Sequence, residues 1–358
     1  MAYTTIAKPN QYFNTVLYQS NNSTPQSITG VNFQPDFLWV KDRDGGGTHV
    51  LVDAVRGSTK WLASDQTSGE VTRADQVTSF DSDGFSLGAD SGNFINVNGN
   101  NNVAWNWLAG GTGVSNTDGN ITSTVSANTT SGFSIVKYTG DGSGASGTIG
   151  HGLGVTPACV IMRPLNYVGA WWIAHQSMPT NYLLEFNTNA QANITTSFGG
   201  GGLSFSAFTN NVIGGIAVTT ADLWNKSGEP YIAYCFAEKK GFSKFGSYTG
   251  NGNADGTFVY TGFKPAWFLV KRTDASAGQW VLLDTARSPS NPNNLQLYPS
   301  LSNADSTEPT GVTWDFLSNG IKIRNTGTNY NASGGTYIYM AFAEHPLVSS
   351  TGVPCTAR

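Results

Sequence analysis

Asp53 and Arg56 stand three residues apart, and Asp284 and Arg287 repeat the pair far along the chain. A carboxylate and a guanidinium at that spacing either hold a polar ligand or hold each other. Between them lies an altered version, His175 and Met178, in matching sequence surroundings. Recurrence at equivalent places is what a fold requirement produces. The pairs are therefore expected to be structural ion pairs that orient a loop, and His175 must find another partner.

The tryptophans offer a different chemistry. Indole faces stack on the apolar C–H face of a sugar ring, while neighbouring Asn and Asp side chains satisfy its hydroxyls. Trp39, Trp267, Trp105 and Trp107 lie on apolar strands, and burial is expected for them. Trp61, Trp224 and the adjacent Trp171 and Trp172 are the candidate ligand-binding residues. Neighbours in a strand face opposite ways, so one of Trp171 and Trp172 is expected to point away from the core.

Catalytic and metal chemistry find little here. The histidines are His49, His151, His175 and His345, and no Gly-x-Ser-x-Gly elbow or His-Glu-x-x-His sequence accompanies them. Asp81 and Asp83 are a carboxylate pair of the kind a glycosidase needs, but turn carboxylates serve hairpins and caps. The loops at Asp141-Gly142-Ser143-Gly144 and Asn251 to Gly256 lack the bidentate Glu and flanking helices of an EF-hand. Gly199 to Gly202 does not lead a strand into a helix, as a phosphate loop would. Cys159, Cys235 and Cys355 have no zinc-type spacing and read as free thiols. The expectation is no enzyme, no catalytic residues, no cofactor and no metal.

Those side chains must be positioned by strands. Charged residues make up 12% of the 358, aromatics another 12%, and the net charge is −4. Such a chain is too aromatic for disorder and too weakly basic to follow a phosphate backbone. It contains no apolar run long enough to cross a bilayer, and its polar start, Met1 to Ile6, has no signal-peptide core. Hydrophobicity alternates with period two in Tyr231 to Phe236 and in Tyr337 to Phe342, with large groups on both faces. Asp83-Gly84 and Asn319-Gly320 predict tight type I′ hairpins.

The chain also says nearly the same thing three times. Phe33-Gln34-Pro35-Asp36-Phe37-Leu38-Trp39-Val40-Lys41 matches Phe263-Lys264-Pro265-Ala266-Trp267-Phe268-Leu269-Val270-Lys271, with Val155 to Arg163 a worn middle copy. A period of roughly 110 residues is too long for a solenoid unit of about 20–50 residues and suits a repeated small domain. The expected architecture is all-β: three tandem lectin-like antiparallel β-sandwich, or jelly-roll-like, domains. The expected boundaries are an arm over 1–11, sandwiches over 12–111, 132–240 and 241–346, a Gly/Ser/Thr/Asn linker over 112–131, and a tail over 347–358. The second and third copies abut and should pack together, leaving the first more freedom.

Certain segments are specific: Thr78 to Phe85, Gly150 to Pro157, Tyr231 to Glu238, Phe245 to Gly252 and Ser333 to Glu344. In these the chain resembles the triplicated structural proteins of marine and cyanobacterial tailed phages, labelled tail-fibre or uncharacterised virion proteins. The resemblance runs from the first residues to the terminal Ala-Arg. It implies a virion component at the tail or outer surface, assembled in the host cytoplasm. Its partners would be other tail or capsid proteins and host-surface glycans, with no nucleic acid, no membrane insertion and homotrimeric assembly. The expected function is a tail fibre or receptor-binding protein for host attachment, holding glycans weakly through many copies. The alternatives are a capsid-surface or tail-assembly protein without receptor contact, and a polysaccharide depolymerase.

Overall fold

A strand such as Tyr231-Ile232-Ala233-Tyr234-Cys235-Phe236 carries large side chains on both faces, so it is stable only with a layer on each side. The computed structural model describes residues 3–179, 182–188, 193–194, 208–214, 224–276, 278–307, 314–349 and 351–355. Within them the chain is all-β, and it supplies both layers in each of three successive units.

The first unit contains β1 (Phe13–Gln19), β2 (Gln26–Thr29), β3 (Phe37–Asp42), β4 (Val50–Asp53) and β5 (Gly57–Ala63). It continues through β6 (Val71–Thr72), β7 (Val77–Asp81), β8 (Gly84–Leu87) and β9 (Asn101–Trp107). The second unit contains β10 (Val114–Asn116), β11 (Ser123–Asn128), β12 (Phe133–Thr139), β13 (Thr148–Gly150) and β14 (Cys159–Pro164). After these come β15 (Trp172–His175), β16 (Tyr182–Glu185), β17 (Asn193–Ile194), β18 (Val212–Gly214) and β19 (Pro230–Phe236). The third unit contains β20 (Ser243–Thr249), β21 (Phe258–Tyr260), β22 (Phe263–Arg272), β23 (Val281–Asp284) and β24 (Leu295–Gln296). It closes with β25 (Ser306–Thr307), β26 (Trp314–Leu317), β27 (Gly320–Ile323) and β28 (Thr336–Pro346).

Each unit has an inner and an outer antiparallel sheet. The inner sheets contain the runs β1-β9-β3-β4, β12-β19-β14-β15 and β20-β28-β22-β23, which is one pattern met three times. The outer sheets are β2-β8-β7, β13-β18 and β21-β27-β26. Side chains on one face of an inner sheet pack against its own outer sheet. Leu38, Val40, Val50 and Val52, for example, meet Ile28, Phe85 and Leu87.

The opposite faces of all three inner sheets meet in one shared core. That core holds Trp39, Trp105 and Trp107 from the first unit, Ile161, Trp171 and Tyr234 from the second, and Trp267, Trp280 and Met340 from the third. Trp107, Phe236 and Phe342 occupy equivalent positions in β9, β19 and β28 and touch mutually. Their ring centroids are 6.5, 5.6 and 6.0 Å apart. Burying one such side chain contributes about 1.5–3 kcal/mol. Exposing five of them would cost on the order of 10 kcal/mol, comparable to the whole stability of an ordinary domain. The three units are therefore bound into one body.

Several expectations change accordingly. The first unit has no special freedom, because its inner sheet is a third of the shared core. The segment 112–131 is not a linker. It carries β10 and β11, and β11 pairs with β12 along its length. Thr124, Ser126 and Asn128 alternate there with Ser123, Val125 and Ala127, so a strand paired on both sides forms in a stretch whose composition reads as flexible. The arm is pinned at Ile6, which is buried in the shared core, and at Thr4, whose hydroxyl donates to the Lys240 carbonyl.

Both predicted hairpins form, with their turns one residue earlier. Asp81 pairs with Gly84 and Leu317 with Gly320, so the loop residues are Ser82-Asp83 and Ser318-Asn319, none with positive φ. The glycines answer to the neighbouring strand instead. A Cβ at Gly84 would lie 1.9 Å from the Ile28 carbonyl oxygen, and one at Gly320 would lie 2.2 Å from that of Val259.

Candidate functional site

The buried ion pairs sit where one unit meets the next. At the end of β4, Arg56 Nε lies 2.5 Å from Asp53 Oδ2, and Arg56 Nη1 lies 3.3 Å from Glu70. Tyr234 of the second unit donates its hydroxyl to the same Asp53 oxygen at 2.8 Å. At the end of β23, Arg287 Nε lies 2.6 Å from Asp284 Oδ2 and Nη1 lies 2.7 Å from Asp305. Here Trp105 of the first unit donates its indole N–H to Asp284 at 3.1 Å. Tyr234 and Trp105 occupy equivalent places in β19 and β9. Burial alone would lower the Arg56 pKa, but the charges of Asp53, Tyr234 and Glu70 raise it above its ordinary value.

The second unit differs. His175 donates from Nε2 to the Tyr339 carbonyl of the third unit at 3.2 Å, while Nδ1 accepts the Ser177 amide. The tautomer follows from those two partners. Opposite it, Met340 stands where Tyr234 and Trp105 stand elsewhere, so a buried donor and a buried carboxylate are absent together. Met178 takes the arginine's place and lines a concavity of about 380 Å³ with Tyr182, Thr273 and Asp274.

A second set of contacts runs the same way round. Trp171 donates its indole N–H to the Ala63 carbonyl of the first unit at 2.6 Å. Trp280 donates to the Glu185 carbonyl of the second unit at 3.0 Å. His49, in the equivalent place, faces the Tyr298 backbone of the third unit without a well-aligned hydrogen bond. First to second, second to third, third to first: the interfaces close a ring, as heterologous contacts do when their rotation closes.

These positions overturn the tryptophan expectation. Trp171 belongs to the shared core and Trp172 to the interior of the second unit, with both faces of their sheet covered. Trp61 lies under Phe94 and the Arg73 guanidinium. Trp224 is buried, and its carbonyl accepts the Tyr138 hydroxyl at 2.7 Å. None of the four presents a ring to solvent, so none can stack on a sugar.

The turn carboxylates are occupied. Asp81 accepts the Ser79 and Ser86 hydroxyls, and Asp83 accepts the Gly30 and Asn32 amides. Asp141 takes Ser143 and Asn225. Among the described residues no three His, Cys, Asp or Glu side chains are grouped to hold a metal ion. The three cysteines are free thiols. Gly199 to Gly202 lies outside the described residues.

What the fold does not demand stands out where equivalent positions differ. On the outer face of β21, Phe258 and Tyr260 are 42% and 54% exposed. The matching residues are Ser27 and Thr29 in β2, and Thr148 and Gly150 in β13. Residues i and i+2 of a strand share a face, so the two rings lie side by side. The Tyr3 ring adjoins Tyr260, its hydroxyl donating to the Gly262 carbonyl at 2.6 Å and its face carrying Lys240 Nζ at 4.6 Å.

The second asymmetry is a groove of about 270 Å³ between β1 of the first unit and the ends of β22, β23 and β28. Glu344 lines it, with Oε1 3.0 Å from Lys264 Nζ and 3.9 Å from His345 Nε2, and Oε2 accepting the Thr285 hydroxyl at 3.2 Å. Sequence reading passed over both features. Aligning the three copies and asking where side-chain size changes on a solvent face would have found the aromatic pair.

A family model described as a domain of unknown function, DUF7483, matches residues 8–346, and the chain belongs to that family. No curated protein matches it. No solved structure matches it either.

Proposed function

We propose that this DUF7483 protein is a structural component of a phage virion, of tail-fibre or receptor-binding type, that touches the host surface and holds glycans weakly through several contacts at once. The sequence resemblance to triplicated phage virion proteins supports the setting. The observation that carries the contact is the Phe258–Tyr260 pair, two aromatic faces left in solvent where the other units have small or polar residues. The pair replaces the buried tryptophans as the surface on which sugar rings would stack.

Among its described residues one chain offers one such pair. A homotrimer would bring three together, and weak millimolar contacts of about −4 kcal/mol gain orders of magnitude in avidity when engaged jointly. The reading places the protein on the outside of the tail and assigns it no reaction.

A tail-assembly or capsid-surface role is the second reading. β21 is an edge strand of its sheet, and an exposed edge bearing aromatics also suits contact with a neighbouring subunit. Immunogold labelling of particles, together with adsorption of the purified chain to host cells and glycan arrays, separates the readings. Host contact requires labelling of the tail surface and retention on cells that falls in the Phe258→Ser/Tyr260→Thr variant. Unlabelled particles, or no retention of the multivalently displayed chain, would sink it. An epitope at Phe258 hidden in intact particles favours assembly.

A further inference from the structure

We propose that the groove between the first and third units is a subsite for one neutral pyranose unit of a surface polysaccharide. This deepens the host-contact reading and rests on it. The groove, about 270 Å³, lies at the small end of ligand pockets, which start near ~300 Å³, and suits one ring rather than an oligomer. Ala266, Ala286 and Ala343 line it and offer apolar surface for the C–H face of a sugar. Thr15, Glu344 and His345 line the same groove and meet hydroxyls.

Charge selects among sugars. Glu344 is compensated by Lys264 at 3.0 Å, so the groove is close to neutral. An anionic sugar would face the Glu344 carboxylate, and a cationic one would find that carboxylate already paired with Lys264. A neutral polyol offers hydroxyls that serve the carboxylate as donors and His345 as either partner. The Thr15 hydroxyl is buried and has no hydrogen-bond partner within the protein. Buried polar groups in native proteins are ordinarily satisfied, and a ligand hydroxyl would satisfy this one.

The fold itself does not ask for this space. At the equivalent interface between the second and third units, Gln176 replaces Thr285 and closes the gap by donating to the Phe245 carbonyl at 2.6 Å. Between the first and second, Val55 packs against the shared core and Ala109 stands in place of Glu344. Among the described residues the second–third interface opens elsewhere, at Met178 and Asp274, so this groove is particular to the first–third interface.

Saturation-transfer NMR on the intact chain, with methyl glycosides of glucose, galactose, mannose and N-acetylglucosamine and methyl glucuronide as the anionic control, tests this. At least one neutral glycoside should bind with a millimolar Kd, and the glucuronide should not. Ala286→Trp, which fills the groove from its lining, should weaken binding more than tenfold, and Thr15→Val should weaken it about tenfold. Val114→Ser, on an exposed strand away from both the groove and the aromatic pair, should leave it unchanged. If Ala286→Trp fails to fold, Thr15→Val carries the test. Absence of saturable binding by every neutral glycoside, or binding that survives both groove variants, overturns the proposal. A chain that adsorbs to host cells yet binds no glycoside loses the groove and keeps the host-contact reading. A chain that binds a glycoside but is absent from particles loses the host-contact reading alone.

Discussion

Trp105 of the first unit donates its indole N–H to Asp284 of the third, across 179 residues of chain, in the place where Tyr234 of the second unit donates to Asp53 of the first. The second unit has His175 at that carboxylate position, and the residue facing it is Met340. Donor and acceptor are present or absent together, although they belong to different units. The constraint is electrostatic: a carboxylate with no solvent access must have its lone pairs satisfied.

This relationship makes Arg287→Met alone destabilising by about 3–5 kcal/mol, because Asp284 is left buried and uncompensated. Asp284→His together with Arg287→Met reproduces the arrangement of the second unit and should cost less than the single change. Denaturant unfolding of these two variants and of Asp284→His alone measures it. Additive losses would mean that charge pairing is not the source of the cost.

The shared core predicts a single cooperative unfolding transition for the whole chain. Tryptophan fluorescence, far-UV circular dichroism and calorimetry should report the same midpoint, with equal calorimetric and van't Hoff enthalpies. Three resolved transitions would show that the units melt separately and that the inner faces do not depend on one another.

Acid should destabilise the fold through its buried histidines. Burial depresses the His175 pKa to about 4, against about 6.5 in an unfolded chain. Between those values the unfolded state binds more protons, so stability falls as pH drops from 6.5 to 4 and changes no further below that. His175 alone accounts for a loss of roughly 3 kcal/mol. His49 and His151, also depressed by burial, act in the same direction. Asp36 and Asp65, raised by burial, oppose it. The difference between wild type and His175→Gln across this window isolates one group. Identical pH profiles for the two proteins would refute the assignment.

Phe258→Ser/Tyr260→Thr installs the side chains of the first unit at the equivalent strand. A half-exposed ring contributes little to the core, so stability should change by about 1 kcal/mol or less, while retention on host cells falls. A thermal shift large enough to unfold the chain would mark the pair as part of the fold rather than a contact surface.

Much of the architecture was legible in one dimension. Period-two alternation with large groups on both faces of Tyr231–Phe236 and Tyr337–Phe342 announced strands with a layer on each side, because a strand exposes its two faces alternately whatever surrounds it. Asp83-Gly84 and Asn319-Gly320 marked real hairpins, although their glycines answer to the carbonyls of β2 and β21 and not to the turns. The recurrence of Asp53–Arg56 as Asp284–Arg287 located the ion pairs because both partners lie within one turn of chain.

What covers the second face of each inner sheet was not legible. Alternation says that Trp171 and Trp172 point in opposite directions, but it does not say that another unit waits on the far side. Burial of a side chain is a property of everything packed around it, and those neighbours come from distant stretches of sequence. The same holds for Tyr234 and Trp105 as partners of carboxylates, and for the groove at Glu344, which exists because Thr285 is shorter than Gln176 at an interface between units. Local pattern specifies strands and turns through short-range sterics and periodicity, whereas exposure, pairing across units and cavity shape arise only when three sheets close on a common axis.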